Sequence, residues 1–254
     1  MRFWEQDRPS DSPLIERIWR SHSDQGFGFL SRAATHSELV IARHRGMTTV
    51  TVRGPETVAT EAFVSAGTEC LGIVFKLGTF IPSLLPGGLL DRRDADLPLV
   101  TGGRFQLGSG LWEIPTFENA DTFVAGLIRR HILVHDPEVV AELQDPTKLS
   151  RRVFQYRIAR ATGLSFRTMG QIEKAEKATA LLSRGLSILD TVFEAGYFDQ
   201  PHLTRSLKRY TGLTPRQISQ AAWSGSLLLG DGTGFDFPHP AADFSFPYND
   251  PVQM

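Results

Sequence analysis

The chain has 254 residues, 41% hydrophobic and 22% charged, with a formal net charge of -1. That is ordinary globular composition, with length enough for two small domains and too little charge bias for a disordered chain. The single cysteine, Cys70, excludes an internal disulfide and fits a reducing compartment. No apolar run approaches the roughly 18 residues that a membrane span needs. The opening MRFWEQDRPS lacks the apolar core of a signal peptide, so a cytoplasmic protein is expected.

The near-zero net charge hides an asymmetry. Residues 145–220 carry 13 Lys and Arg against 6 Asp and Glu, a net of +7, while the remainder carries 14 against 22, a net of -8. A basic segment joined to an acidic one suits a chain that lays one domain on nucleic acid and keeps the other off it.

In chain order, residues 13–20 read as an edge strand entering a sheet. Residues 37–42 and 47–52 alternate apolar and polar side chains on either side of Arg45-Gly46, the pattern of a hairpin. Residues 61–65 and 71–76 read as further strands, the second nearly continuous in apolar residues and therefore buried. Short strands with Gly and Pro punctuation predict a small β-barrel or sandwich. One face of residues 40–42, 49–52 and 73–75 has no polar partners, and a pocket for a small apolar or amphipathic molecule is expected there, against the plainer reading of a filled core. Residues 78–118 are interrupted by Pro82, Pro86, Pro98, Pro115 and seven glycines, and no period assigns elements there. Residues 92–96 read as a solvated charged loop.

Helical periodicity begins near Asp121, with Phe123, Val124, Leu127, Ile128 and His131 on one face. A domain boundary is therefore placed at residues 115–120. Asp136-Pro137 starts a short helix with Val139, Val140 and Leu143 on its core side. Ser150 caps the next helix, in which Val153, Phe154, Ile158 and Ala161 point inward and Arg151, Arg152, Gln155, Tyr156 and Arg160 point outward. A long helix runs from Ser165 to Ser183, with Met169, Ile172, Ala175, Thr179 and Leu182 along one side.

Residues 187–215 are the most informative stretch. Ser187 is an N-cap with Asp190 as its acidic partner, and Ile188, Leu189, Val192 and Phe193 form an apolar stripe. Gly196 ends the helix. Asp199 caps the next one, whose Leu203, Leu207 and Tyr210 fall on one face. Gln200, Thr204, Arg205, Lys208 and Arg209 fall on the other. Gly212 closes that helix and Thr214-Pro215 opens another. A short helix, a Gly turn and a helix with a basic, amide-rich face make a helix-turn-helix. Arg can bridge guanine O6 and N7, Gln can pair with adenine, and terminal Lys and Arg can neutralise phosphates. On spacing alone, an ordinary amphipathic helix pair with a solvated basic face fits as well.

The run Gly196-Tyr197-Phe198-Asp199-Gln200-Pro201-His202-Leu203-Thr204-Arg205, then Lys208-Arg209-Tyr210 and Gly212-Leu213-Thr214-Pro215, resembles the C-terminal signature of AraC/XylS-type transcription regulators. The resemblance covers about residues 119–222. It implies an α+β chain: an N-terminal β-barrel or sandwich (cupin-like) sensor domain at residues 1–118, an all-α domain with two helix-turn-helix units at 119–223, and a Gly-, Pro- and Phe-rich tail at 224–254. The Ser150 helix is the first unit and the helix after Ser165 the linker. Tyr156 departs from the family pattern, standing where many relatives carry a basic residue. The DNA-binding residues so implied are Arg151, Arg152, Gln155 and Tyr156 in the first unit, and Gln200, Pro201, His202, Thr204, Arg205, Lys208 and Arg209 in the second. Double-stranded DNA, RNA polymerase and a small-molecule effector are the implied partners of a monomer or homodimer, with no membrane partner.

No catalytic residue, cofactor or metal is expected. Among the seven histidines only His131 and His135 have a spacing that two zinc ligands on a helix would need, and no third ligand lies near. Cys70 reads as a small buried hydrophobe. The competing class is a DNA-tethered repair enzyme, which needs an activated cysteine and zinc-binding cysteines that one Cys does not supply. The N-terminal region lacks the paired histidines of metal-binding cupins. The tail, acidic and rich in aromatic residues, is expected to pack along the protein's basic half.

Overall fold

The computed structural model describes residues 3–91, 93–139 and 151–223. The tail, Val140, Leu143 and the Ser150 cap fall outside the described residues. The N-terminal region is an antiparallel β structure. Strands β1 (Phe3–Arg8), β2 (Ile15–Ser23), β4 (Glu38–His44), β5 (Met47–Arg53), β7 (Thr68–Phe75) and β9 (Ala95–Asp96) form one six-stranded sheet in the order β1-β2-β7-β4-β5-β9. Strands β3 (Phe27–Ser31) and β6 (Thr60–Val64) make a separate ribbon. Strands β10 (Leu99–Val100), β11 (Arg104–Leu107) and β12 (Gly110–Glu113) make a small sheet, and β8 (Thr79–Phe80) pairs with β13 (Val134–His135).

The predicted hairpin forms, with β4 and β5 in register from Glu38↔Arg53 to His44↔Met47. Arg45 and Gly46 both have positive φ, 49° and 78°, the conformation of a two-residue turn whose twist matches the strands. Two expectations change. Residues 13–20 do not form an edge strand, since β2 lies between β1 and β7. The β1 segment, with Glu5, Gln6, Asp7 and Arg8 in succession, supplies the edge instead. Within residues 92–96, Ala95 and Asp96 pair with Val52 and Thr51 and Asp94 lies 3.7 Å from Arg53, so part of the loop is an edge strand.

Alternation sends Leu39, Ile41, Val50, Val52, Leu71, Ile73 and Phe75 to one face of the large sheet. There they join Leu89, Leu97, Phe105, Leu107 and Trp112 in one buried cluster. The arrangement is sandwich-like, and among the described residues the sheet does not close into a barrel. The apolar face expected to line a ligand pocket packs into this buried cluster. The sheet's opposite face carries a polar network beside Val40 and the buried Val74. Arg53 donates to Glu38 and Glu56 at 3.1 Å each, and the Trp19 indole N–H donates to Glu38 at 3.2 Å. Gly72 makes room for that indole, because a Cβ there would lie 2.1 Å from the Trp19 ring.

Helix α1 (Ala120–Arg129) presents Val124 and Leu127 to the β core, so it packs with the N-terminal region. His131 lies beyond the helix at φ 56° and His135 is in β13, so the two do not share a helix face. Helices α2 (Arg151–Thr162), α3 (Phe166–Ser183), α4 (Ile188–Glu194), α5 (Gln200–Thr211) and α6 (Pro215–Trp223) form the C-terminal region. The α3 helix touches each of the other four. Its Met169, Ile172, Ala175, Thr179 and Leu182 are all buried, as the periodicity predicts.

The two regions share apolar packing. Leu30, Ala33, Phe80 and Leu90 from the β region join Ile158, Leu164, Leu207, Tyr210 and Leu213 in the helical core. The backbone N–H of Ala33 donates to the Tyr210 carbonyl at 2.9 Å, and that of Ala59 to the Arg209 carbonyl at 2.8 Å. These carbonyls lie in the last turn of α5, where an α-helix has no acceptors' partners of its own. The β region thus completes the end of α5.

Candidate nucleic-acid interface

The second helix-turn-helix unit is α4, a turn and α5. Ser187 caps α4, its side chain accepting from the Asp190 N–H at 3.1 Å and donating to the Asp190 carboxylate at 2.6 Å. Gly196 enters the left-handed region at φ 73°, where a Cβ would be disfavoured. Asp199 accepts from the His202 N–H at 2.7 Å and starts α5 with Pro201 in its first turn. Gly212 ends α5 at φ 76°.

The linker helix holds the turn. Lys174 donates to the Gly196 carbonyl and sits 4.4 Å from the centroid of Tyr197. Lys177 donates to the Glu194 carbonyl at 2.5 Å. Positive charge at a helix C-terminus is favourable, and these two lysines meet the end of α4. The Tyr197 hydroxyl lies 2.9 Å from Ser206 Oγ on α5, and burial raises its pKa. The His202 ring packs edge-on against Tyr197, with centroids 5.1 Å apart. His202 is thereby a half-buried brace of the turn.

With the turn fixed, α5 buries Leu203, Ser206, Leu207, Tyr210 and Thr211. It exposes Gln200, Pro201, Arg205, Lys208 and Arg209, with Thr204 half-exposed beside them. The structure thus brings the predicted residues of the second unit, His202 excepted, onto one open face. The Thr204 hydroxyl donates to the Gln200 carbonyl at 2.9 Å.

In the first unit, Phe154, Ile158 and Ala161 are buried and Arg152, Gln155, Tyr156 and Arg160 are exposed. The side chain of Arg151 lies outside the described residues. Val153 was expected inward and is 42% exposed. Its position is one residue ahead of the Phe154–Ile158–Ala161 stripe, which already fills the inner face. An open cleft of about 630 Å³ runs along this helix, lined by Asp136, Glu138, Arg152, Val153, Tyr156, Arg157 and Arg160. Glu138 pairs with Arg157 across it.

The stripe expected on α4 also divides. Val192 is buried, whereas Leu189 and Phe193 are exposed, as is Phe198 in the turn. A helix of two turns has room for one packed row against α3 and α5, and Thr191 with Val192 takes it.

Residues 145–221 match the family described as a helix-turn-helix domain. This segment is an AraC-type helix-turn-helix domain. The match spans α2, α3, α4 and α5. No curated protein matches the chain. Among solved structures, ToxT from Vibrio cholerae in a P21 crystal form is similar at 9% identity, covering 88% of this chain and 98% of that one, with a TM-score of 0.38. ToxT from Vibrio cholerae O395 bound to (E)-4-(8-methylnaphthalen-1-yl)but-3-enoic acid is similar at 10% identity, covering 88% and 99%, with a TM-score of 0.39.

The remaining nucleophile is Cys70. Burial pushes its thiol up to about 11, against smaller opposing effects of Ser21 and Arg53. A thiol so shifted is protonated at neutral pH, the opposite of an activated repair cysteine. Among the described residues no cluster of His, Cys, Asp and Glu could hold a metal. Nor is any described helix long and apolar enough to cross a membrane.

Proposed function

We propose that the chain is a sequence-specific, DNA-binding transcription regulator that reads two successive major-groove segments. The observation that carries this reading is the outer face of α5: Gln200, Thr204, Arg205, Lys208 and Arg209 stand together on a helix whose entry, turn and exit are each fixed by hydrogen bonds. Such a face offers bidentate donors for guanine and adenine and point charges for phosphate. The α2 helix offers a second face with Arg152, Gln155, Tyr156 and Arg160. The α3 helix would set their separation at about one DNA turn, roughly 34 Å.

The chain divides, on this proposal, into an N-terminal regulatory region and the C-terminal reading region, with α1 on the N-terminal side because its Val124 and Leu127 are in that core. Control by a small molecule or protein at the N-terminal region would act through the shared packing of Leu30, Ala33 and Phe80 with the reading helices. RNA polymerase is the expected further partner of a regulator working as monomer or homodimer. Selection of bound duplexes from a random pool tests the reading. A regulator enriches one motif with two segments; a chain that binds all duplexes alike, or none, is not one.

A further inference from the structure

The two reading helices expose different chemistry. No large apolar side chain of α5 is exposed, whereas α2 exposes Val153 at 42% and Tyr156 at 65%. These two are three residues apart and so lie on one side of the helix, the side that also carries Arg152 and Arg160. They fall in its first half, the part of a reading helix that meets base edges. Among the described residues the inner face of the helix is filled by Phe154, Ile158 and Ala161, which leaves Val153 and Tyr156 outside it. Helix formation does not ask for them, because a β-branched or aromatic side chain lowers helix propensity at an exposed site.

We infer that the first unit reads thymine through its C5-methyl group, with Val153 and Tyr156 as specificity-determining residues. Thymine alone presents a methyl in the major groove, and apolar side chains recognise it by contact. Arg152 and Arg160 flank the pair on the same face and would seat the helix on the phosphates. The chain then combines two kinds of readout: methyl contact from α2, and hydrogen bonds from Gln200 and Arg205 of α5. The inference rests on the DNA-reading function proposed above and adds the base that one unit selects.

The test uses the full chain and duplexes enriched by the wild-type protein from a random pool. Each thymine is replaced in turn by deoxyuridine, which removes only the methyl. Burying one such group is worth about fourfold in affinity. Wild type should lose about that much at one or two positions of the segment under the first unit. Val153→Ala should lose a similar factor on thymine DNA and little more on deoxyuridine DNA, a non-additive cycle. Val153→Thr, which keeps one methyl and the branch, should retain the response. Because Val153 is exposed, Val153→Ala should melt like wild type. Enrichment of a motif whose first segment is indifferent to deoxyuridine, or additive losses, would overturn the thymine assignment alone. No enrichment at all would overturn the DNA-reading function and this inference with it.

Discussion

Helices α2 and α5 both end on the β region, and a methyl group placed at each end measures how closely. Gly163 follows α2 at φ 72°, and a Cβ there would lie 2.7 Å from the Gly87 N and the Pro86 carbonyl carbon. Both are backbone atoms of the β region and cannot rotate away. Gly212 follows α5 at φ 76°, and its Cβ would lie 2.8 Å from Leu30 Cδ1, the end of a flexible side chain. Gly185 follows α3 at φ 88° with nothing within 4 Å. An alanine in the left-handed region costs about 1–2 kcal/mol wherever it sits, so Gly185→Ala isolates that cost. At Gly163 the overlap adds about 1–3 kcal/mol of overpacking. Each kcal/mol lowers Tm by about 2–4 °C in a chain of this size. Melting curves should therefore rank Gly163→Ala lowest, Gly212→Ala next and Gly185→Ala nearest wild type, with the first and last separated by roughly 2–12 °C. Equal melting of Gly163→Ala and Gly185→Ala would refute the contact between α2 and the β region.

Arg205→Ala should cost about 1–3 kcal/mol on a selected duplex and relax the sequence preference there. Lys208→Ala should weaken all duplexes alike and reduce the slope of log affinity against log salt by about 1; both are read by titration at several salt concentrations. Desolvation acts to raise the Asp121 pKa, but hydrogen bonds from Ser10, Arg8 and Asp11 outweigh it and hold the carboxyl below its usual value. A carboxyl lowered on folding stabilises above its unfolded pKa of about 3.9 and loses that contribution as pH falls through the lower folded value. Asp121→Asn should therefore lower Tm at pH 7 and narrow the gap to wild type below about pH 4. Cys70, expected buried, is partly exposed; with its pKa raised to about 11 its thiol should react with a disulfide reagent at pH 8 more slowly than a free thiol, and at the free-thiol rate once denatured.

The sequence made the C-terminal half legible because its signals are local. Ser165, Ser187 and Asp199 cap the helices they begin, and Gly196 and Gly212 have the positive φ that a helix stop requires. Sequence period also placed the β4–β5 hairpin, since alternation and a two-residue turn are both short-range. Two kinds of feature were hidden. Strands β8 to β12 are two to four residues long, too short for alternation to register, and their pairing is decided by tertiary contacts. The outward turn of Val153, Leu189 and Phe193 was hidden because hydrophobicity alone assigns such residues to a core. Only the completed stripe of Phe154, Ile158 and Ala161 shows that the inner face has no room for Val153. The joint between the regions, made by backbone groups of Ala33 and Ala59, leaves no mark on side-chain pattern at all.

The central claim is that one chain places two reading helices on one face of DNA. Hydroxyl-radical footprinting of the full chain on a selected duplex tests it most directly. Two protected segments with centres about 10 base pairs apart on the same face are predicted, with Arg205→Ala releasing only the segment under α5. A single protected segment, or protection that Arg205→Ala leaves unchanged, would contradict it.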